Sequence, residues 1–367
     1  MKFLRRYPTG PRPLIDRQFC LKYNSLSPLL KMKSLKSKLG FSAFILLFTL
    51  AAAVVPSAAP AQQAQKKYVI AFVPKLINIG YFNAMLAGGN EAAKALDVTF
   101  DYEGPTTADA SLQVQTIKQL IAKHVDAIAV APDDPAVVAP ALQQAEAQGI
   151  KTFTSDTDAP GTVRRVFVNQ ALDSEIGEAT IDALASAMGE QGDWAIDSCG
   201  PAAQNLNAWI AIEKARAAER YPKMHLVTIV YSGEDIAKAV ADTKDLITGH
   251  PDLRGIIGQC STSGPGAAKA VSDLNMIGKV FVTGISVPSL MKPYVENGAI
   301  KSFVLWNPVN LGFLTVWAGL QLVEGKPFQA VNNVPTLGEV RYDASKKMLI
   351  LGPPTVFDKS NIDKFNF

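Results

Sequence analysis

The chain predicts an α/β fold of two doubly wound lobes, on three observations. Short β-rich runs alternate with helix-period stretches from Tyr68 onward, the pattern of parallel sheets built from βαβ units. The alternation runs through two consecutive ladders of similar size with no Pro/Ser-rich linker between them. Polar residues gather just past the predicted strand ends, where open parallel sheets hold ligands.

In the first ladder the strand runs are Tyr68 to Val73, Val98 to Tyr102, Ala127 to Ala131 and Thr152 to Thr154. The helix between the first two carries Phe82, Met85, Ala92 and Ala95 on its apolar face, and the next carries Leu112, Ile117, Leu120 and Ile121. Both faces are expected to pack on the sheet. A second ladder begins near Val166 and continues through Trp194 to Ile196, Leu226 to Val230, Gly255 to Gly258, Val280 to Gly284 and Ser302 to Leu305. Beyond Pro335 the pattern is irregular, with Pro353-Pro354, and reads as strands or wrapping segments. The expected division is a leader over 1–61, a first lobe of 68–168 plus 307–338, and a second lobe of 169–306 plus 339–367.

Ahead of the ladders, the uncharged Leu39 to Ala61 stretch follows Lys33, Lys36 and Lys38 and ends in Ala59-Pro60-Ala61. A basic flank, an apolar core and small closing residues make a secretory signal peptide, with cleavage expected after Ala61 or, second, after Ala64. Met32 would leave a conventional short basic region, whereas a start at Met1 adds an unusually long leader. Arg5-Arg6 lies too far upstream for a twin-arginine signal. No Cys stands at the cleavage region for lipid anchoring, and the polar stretch from Gln62 to Lys67 argues against a permanent anchor. The expected location is the periplasm.

The formal charge of the whole chain is +3, but residues 1–61 hold ten Lys/Arg and one Asp. The remaining 306 residues carry 26 basic and 32 acidic side chains, a balance of −6. That leaves no electrostatic footprint for nucleic acid. The sequence contains no CxxC, HExxH, G-x-S-x-G or Walker A pattern, and Pro74 to Gly80 is not a dinucleotide-binding glycine fingerprint. His124, His225 and His250 have no nucleophile at motif spacing and read as surface residues. No metal, cofactor or catalytic residue is expected. Cys199 and Cys260 end the expected first and third strands of the second lobe; two buried thiols are favoured over a bridge, which requires Cα atoms about 4.4 to 6.8 Å apart.

The strand ends offer Lys75, Asp133, Asp156 and Asp158 in the first ladder, then Asn205, Asn207, Gln259, Ser261, Ser286 and Trp306 in the second. Gln170 at the junction and Phe82 on the first helix complete the candidate ligand set. Each has a structural reading of equal weight: Asp133 or Asp134 as a helix cap before Pro135, Asp158 as a turn residue, Asn205 or Asn207 as a cap, Trp306 as core. Together, carboxylates, amides, a lysine and aromatic rings suit a neutral polyhydroxylated ligand. The polar groups exchange hydrogen bonds with vicinal hydroxyls, and the rings cover C–H faces.

Phe72-Val73-Pro74-Lys75-Leu76, Gly104-Pro105-Thr106, Ser155-Asp156-Thr157-Asp158, Lys292-Pro293-Tyr294-Val295 and Leu305-Trp306 add a family resemblance. In these motifs the chain resembles type I periplasmic sugar-binding proteins of the ribose-binding class, in the branch with the LsrB autoinducer receptor and rhamnose-binding proteins. The resemblance implies two Rossmann-like lobes, three hinge crossings, a ligand enclosed between the lobes by hinge closure, and delivery to the permease of an ABC importer. It matches Lys75 and Asp156 to the family's ligand-contacting Lys and Asp. Asn205-Leu206 stands where the autoinducer receptor has Asp-Gln, and Gln259-Cys260-Ser261 where it has Pro-Asp-Ala, so a small sugar or polyol is the expected ligand and a monomer the expected state. An autoinducer-type furanose receptor, a chemoreceptor adaptor and an exported enzyme on the same fold remain alternatives. A repressor of this fold would need a helix-turn-helix where the signal peptide stands.

Overall fold

The computed structural model describes residues 67–367. The leader, its cleavage site and the choice between Met1 and Met32 lie outside the described residues. Among the described residues no helix is long and apolar enough to cross a membrane.

The first sheet has eight strands. β1 (Val69–Val73), β2 (Thr99–Tyr102), β3 (Ala127–Val130), β4 (Lys151–Ser155) and β5 (Phe167–Asn169) run parallel in the order β2-β1-β3-β4-β5. Alternation along the strands sorts side chains to two faces. Ala71, Val73, Ile128 and Val130 pack with Ile117, Leu120, Ile121, Val138 and Leu142 of α2 (Ala110–Ala122) and α3 (Pro135–Ala147). Ile70, Phe72, Ala127, Ala129 and Phe153 face the other way, toward α1 (Gly80–Leu96) and α9 (Pro308–Val323). These two helices meet through glycines: a Cβ on Gly88 would lie 1.8 Å from the Val309 carbonyl oxygen, and one on Gly312 2.0 Å from that of Met85. Any side chain there would hold the helices apart. Of the predicted α1 face, Ala95 is exposed.

The second sheet, in the order β7-β6-β8-β9, is parallel throughout: β6 (Gln191–Ser198), β7 (Lys223–Tyr231), β8 (Leu253–Gly258) and β9 (Phe281–Gly284). α4 (Asp173–Met188) and α5 (Gln204–Arg220) cover one face, where Ile181, Leu184, Trp194, Ile196, Ile210 and Ile257 pack together. α6 (Ile236–Gly249) and α7 (Ser263–Asp273) pack against each other, and their Leu246, Ala267 and Val271 are buried with Ala195 and Ile256. α8 (Pro288–Glu296) follows β9, and β10 (Ser302–Leu305) pairs antiparallel with β14 (Thr355–Asp358).

Three expectations are corrected. The run near Val166 does not open the second ladder: β5 is the last parallel strand of the first sheet. Residues 339–350 do not belong with the second lobe, because β11 (Val331–Val334), β12 (Gly338–Asp343) and β13 (Met348–Ile350) extend the first sheet beside β5. Cys199 and Cys260 are joined in a disulfide, with Cα atoms 6.0 Å apart. Each cysteine lies two residues past a paired position, Asp197 and Gly258 respectively, so the two are level where their strands leave the sheet. The chain passes from the first lobe to the second at 170–172, and between the β10–β14 pair of the second lobe and the first lobe at 306–307 and 351–354.

Candidate functional site

The loops beyond the strand ends of both sheets enclose one cavity, lined by Lys75, Ile79, Tyr81, Phe82 and Asp156 from the first lobe. From the second come Asn205, Leu206, Trp209, Glu234, Gln259, Cys260, Ser261 and Ile285, with Trp306 at a crossing. Its volume is about 30 Å³, room for a water or two. Lys75 Nζ donates to Asn205 Oδ1 across it at 3.3 Å, so the two lobes touch here.

Asp156 sits just after β4 at φ 69°, in the left-handed region. The Thr157 N–H donates to the Ser155 carbonyl around it, closing a tight three-residue turn. The turn aims the carboxylate inward, where Tyr81 Oη donates to Oδ1 at 2.6 Å and Thr157 Oγ1 to Oδ2 at 3.0 Å. Trp306 Nε1 donates in turn to Tyr81 Oη at 2.9 Å. Burial raises the Asp156 pKa, opposed by Lys75 and by the Tyr81 and Thr157 donors. Burial and the neighbouring carboxylate also hold the Tyr81 hydroxyl well above its ordinary range, as a neutral donor.

Rings form the apolar wall. Tyr81 meets Trp306 edge-on at 5.9 Å between centroids, and Trp306 meets Trp209 at 5.6 Å. Trp209 is fixed by its Nε1–H, which donates to Asp173 Oδ1 at 2.8 Å. From the loop after β7, half-buried Glu234 accepts from Thr262 Oγ1 at 3.4 Å. Burial raises its pKa, while Lys75 pulls it down. Cys199, Glu234 and Cys260 bring ligand-type atoms within 4.8 Å of one another, but with the sulfurs bonded together only the carboxylate could bind a metal.

Of the residues singled out in the sequence, the structure brings Lys75, Phe82, Asp156, Asn205, Gln259, Ser261 and Trp306 to this cavity. The others lie elsewhere. Asp158 is held by Thr154 Oγ1, the Ala159 N–H and Arg164, in a larger, open polar groove lined also by Phe167, Asn169 and Lys346. Asn207 donates to the Pro201 carbonyl, and Ser286 to the Ser261 carbonyl. Asp133 stands beside the site, its carboxyl pushed up to about 7 by burial, with Lys75 opposing; the cap before Pro135 is Asp134. Gln170, in the first crossing, is buried with neither side-chain amide atom partnered among the described residues.

Sequence reasoning missed Tyr81, Trp209 and Glu234. Tyr81 and Glu234 obey the strand-end rule used for the others: one opens α1 after β1, and the other lies in the loop after β7. Trp209 had a different signal, one turn along α5 from Asn205, so the two share a face.

Comparison with known proteins agrees with this architecture. Residues 70–327 match the model of the periplasmic binding protein domain. The ribose import binding protein RbsB of Bacillus subtilis (strain 168) is 23% identical over 275 residues, covering 74% of this chain and 87% of that protein. Among solved structures, LsrB from Clostridium saccharobutylicum in complex with AI-2 superposes with a TM-score of 0.78 at 24% identity, over 82% of this chain and 100% of that one. An ABC transporter solute-binding protein from Clostridium phytofermentas with bound L-rhamnose gives 0.76 at 28% identity, over 82% and 99%. With a family match over most of its length and two doubly wound sheets linked by three crossings, the chain belongs to the periplasmic binding protein family, in its type I form.

Proposed function

We propose that this chain captures a small sugar or polyol between its lobes in the periplasm and hands it to the permease of an ABC importer, acting as a binding protein without turnover. The observation that carries this is the interlobe cavity, where a lysine, two carboxylates and two amides converge beside four aromatic side chains. Hydroxyl-bearing ligands need donors and acceptors around their rim and apolar cover for their C–H faces. Relatives named for ribose binding and a neighbour holding L-rhamnose support the same ligand class. Lys75, Asp156, Asn205, Gln259 and Ser261 make the polar contacts in this reading, and Trp306 and Phe82 the apolar ones.

The cavity as it stands is too small for a monosaccharide, and the Lys75–Asn205 bridge closes it. Entry requires the lobes to part about the three crossings, the hinge closure of two-domain binding proteins. A panel of pentoses, deoxyhexoses, tetritols and furanoses, scored by the rise in melting temperature, tests the reading. One chemical subgroup is expected to stabilise the protein; no shift with any member at millimolar concentration contradicts sugar binding, and turnover of the bound sugar contradicts a pure binding role.

A further inference from the structure

One helix face organises the second lobe's share of the site. Asn205, Trp209 and Glu213 recur at four-residue intervals along α5 and so lie in one row. Asn205 meets Lys75, and Trp209 packs on Trp306. Glu213 does not line the cavity and is fully buried, yet no ion pair serves it among the described residues. Its Oε1 accepts from Gln259 Nε2 at 2.8 Å, and its Oε2 has no partner. A buried acid held by a single hydrogen bond is less stabilising than a well-packed apolar side chain of similar volume, so what Glu213 supplies is orientation.

Gln259 is the residue oriented. It lines the cavity at the end of β8, and its side chain is fully buried. Its main chain is fixed on both sides, by the N–H bond to the Asp197 carbonyl at 2.8 Å and by the disulfide at Cys260. With Nε2 committed to Glu213, the amide atom left without a partner is Oε1. An amide that could turn freely would offer the cavity either a donor or an acceptor. We propose that Glu213 is a positioning residue for recognition: by accepting the Gln259 Nε2–H it fixes Gln259 Oε1 as an acceptor for the cavity, and so selects a ligand carrying a hydroxyl donor at that position. Burial pushes the Glu213 carboxyl up to about 8, and in the bond it makes here it accepts, on Oε1, from the amide.

The inference rests on the sugar-binding reading, and the experiment separates the two. D-Ribose, L-rhamnose and D-arabinose are titrated calorimetrically into the full exported protein, and the tightest binder is compared with each of its monodeoxy analogues. Wild type is expected to reject one analogue by about tenfold or more, the loss of one hydrogen bond to a fixed acceptor. Glu213→Leu is expected to weaken the parent sugar about tenfold while leaving that analogue nearly unchanged, so discrimination collapses; Glu213→Gln, which keeps a carbonyl acceptor, is expected to retain it. Gln259→Leu should erase the same discrimination, with no further loss in the double variant. Equal weakening of all analogues in Glu213→Leu, or full discrimination surviving in Gln259→Leu, overturns the proposal. The Gln259 variant decides the matter should Glu213→Leu not fold. Wild type binding none of the three sugars removes the sugar reading, and the proposal with it.

Discussion

The two faces of the cavity are made rigid by different means. On the first-lobe side Asp156 takes one donor on each oxygen, from Tyr81 and Thr157, with Trp306 behind Tyr81. On the second-lobe side the brace is covalent, the Cys199–Cys260 disulfide at the ends of two adjacent strands. Polar atoms there, among them Glu213 Oε2 and Gln259 Oε1, are buried without partners. The first face is a hydrogen-bond network in which the Asp156 carboxyl keeps accepting capacity for a ligand. The second is a stiff frame whose unpartnered polar atoms lower stability.

The largest effect expected from this contrast belongs to the disulfide. It closes a separation of 61 residues inside the second lobe, for which loop-closure entropy gives about 4 kcal/mol. The Cys199→Ser/Cys260→Ser protein should therefore unfold at clearly lower denaturant, with the first lobe's network intact. An unchanged unfolding midpoint would mean that the second face is not held by its bridge.

Next comes Asp156→Asn. Asn tolerates the left-handed backbone at this position, so the substitution keeps the turn and removes the charge. Losing a charged hydrogen bond to a bound hydroxyl costs about 1.5 to 3 kcal/mol, roughly a 10- to 150-fold loss of affinity. The melting temperature of the ligand-free protein should change little. Reduced stability with intact affinity would make Asp156 a turn residue and nothing more.

The pH dependence sharpens the second half of the comparison. Burial pushes the carboxyl of Asp197 up to about 7 and that of Glu213 up to about 8. Between about pH 4 and those values the folded protein holds protons that the unfolded chain has released. Stability from these two groups is therefore fully present below about pH 4 and is lost as pH rises through 7 to 8, each tenfold difference in proton affinity between the folded and unfolded states being worth about 1.4 kcal/mol. Calorimetric melting from pH 5 to 8 should show a falling melting temperature, and Asp197→Asn should flatten the fall. A rise over that range contradicts the assignment.

The smallest effect is expected for Trp306→Phe, which keeps an aromatic wall and removes the N–H that supports Tyr81. One neutral hydrogen bond is worth about 0.5 to 1.5 kcal/mol, so ligand affinity should fall about 2- to 13-fold. Unchanged affinity would detach Trp306 from the Asp156 network.

Much of this was legible in the sequence because the parallel strands carry their own pattern. The central run from Ala71 to Val73 and the run from Ala127 to Val130 are apolar on both faces, as strands covered by helices on each side must be. The strand-end rule picked out Lys75, Asp156 and Gln259, which line the cavity. It failed where local pattern and tertiary pairing part company. β12 and β13 hold Arg341, Tyr342 and Asp343 beside Met348 and Leu349, a short antiparallel pair whose partner strand, β5, is far away in sequence. Asp158 and Asn207 look like ligand residues but are occupied within their own loops. Glu234 obeys the same rule but was passed over, because an acid in a Ser-Gly-Glu-Asp loop reads as solvated surface until the other lobe closes over it.

Capture of a hydroxyl-rich ligand between the two faces is tested most directly by calorimetric titration of wild type and Asp156→Asn with the panel sugar that stabilises wild type most. One sugar bound per chain, with affinity falling at least tenfold in the variant and the ligand-free melting temperatures matching, is the predicted result. Equal affinities in the two proteins would place the ligand away from this cavity and contradict the account.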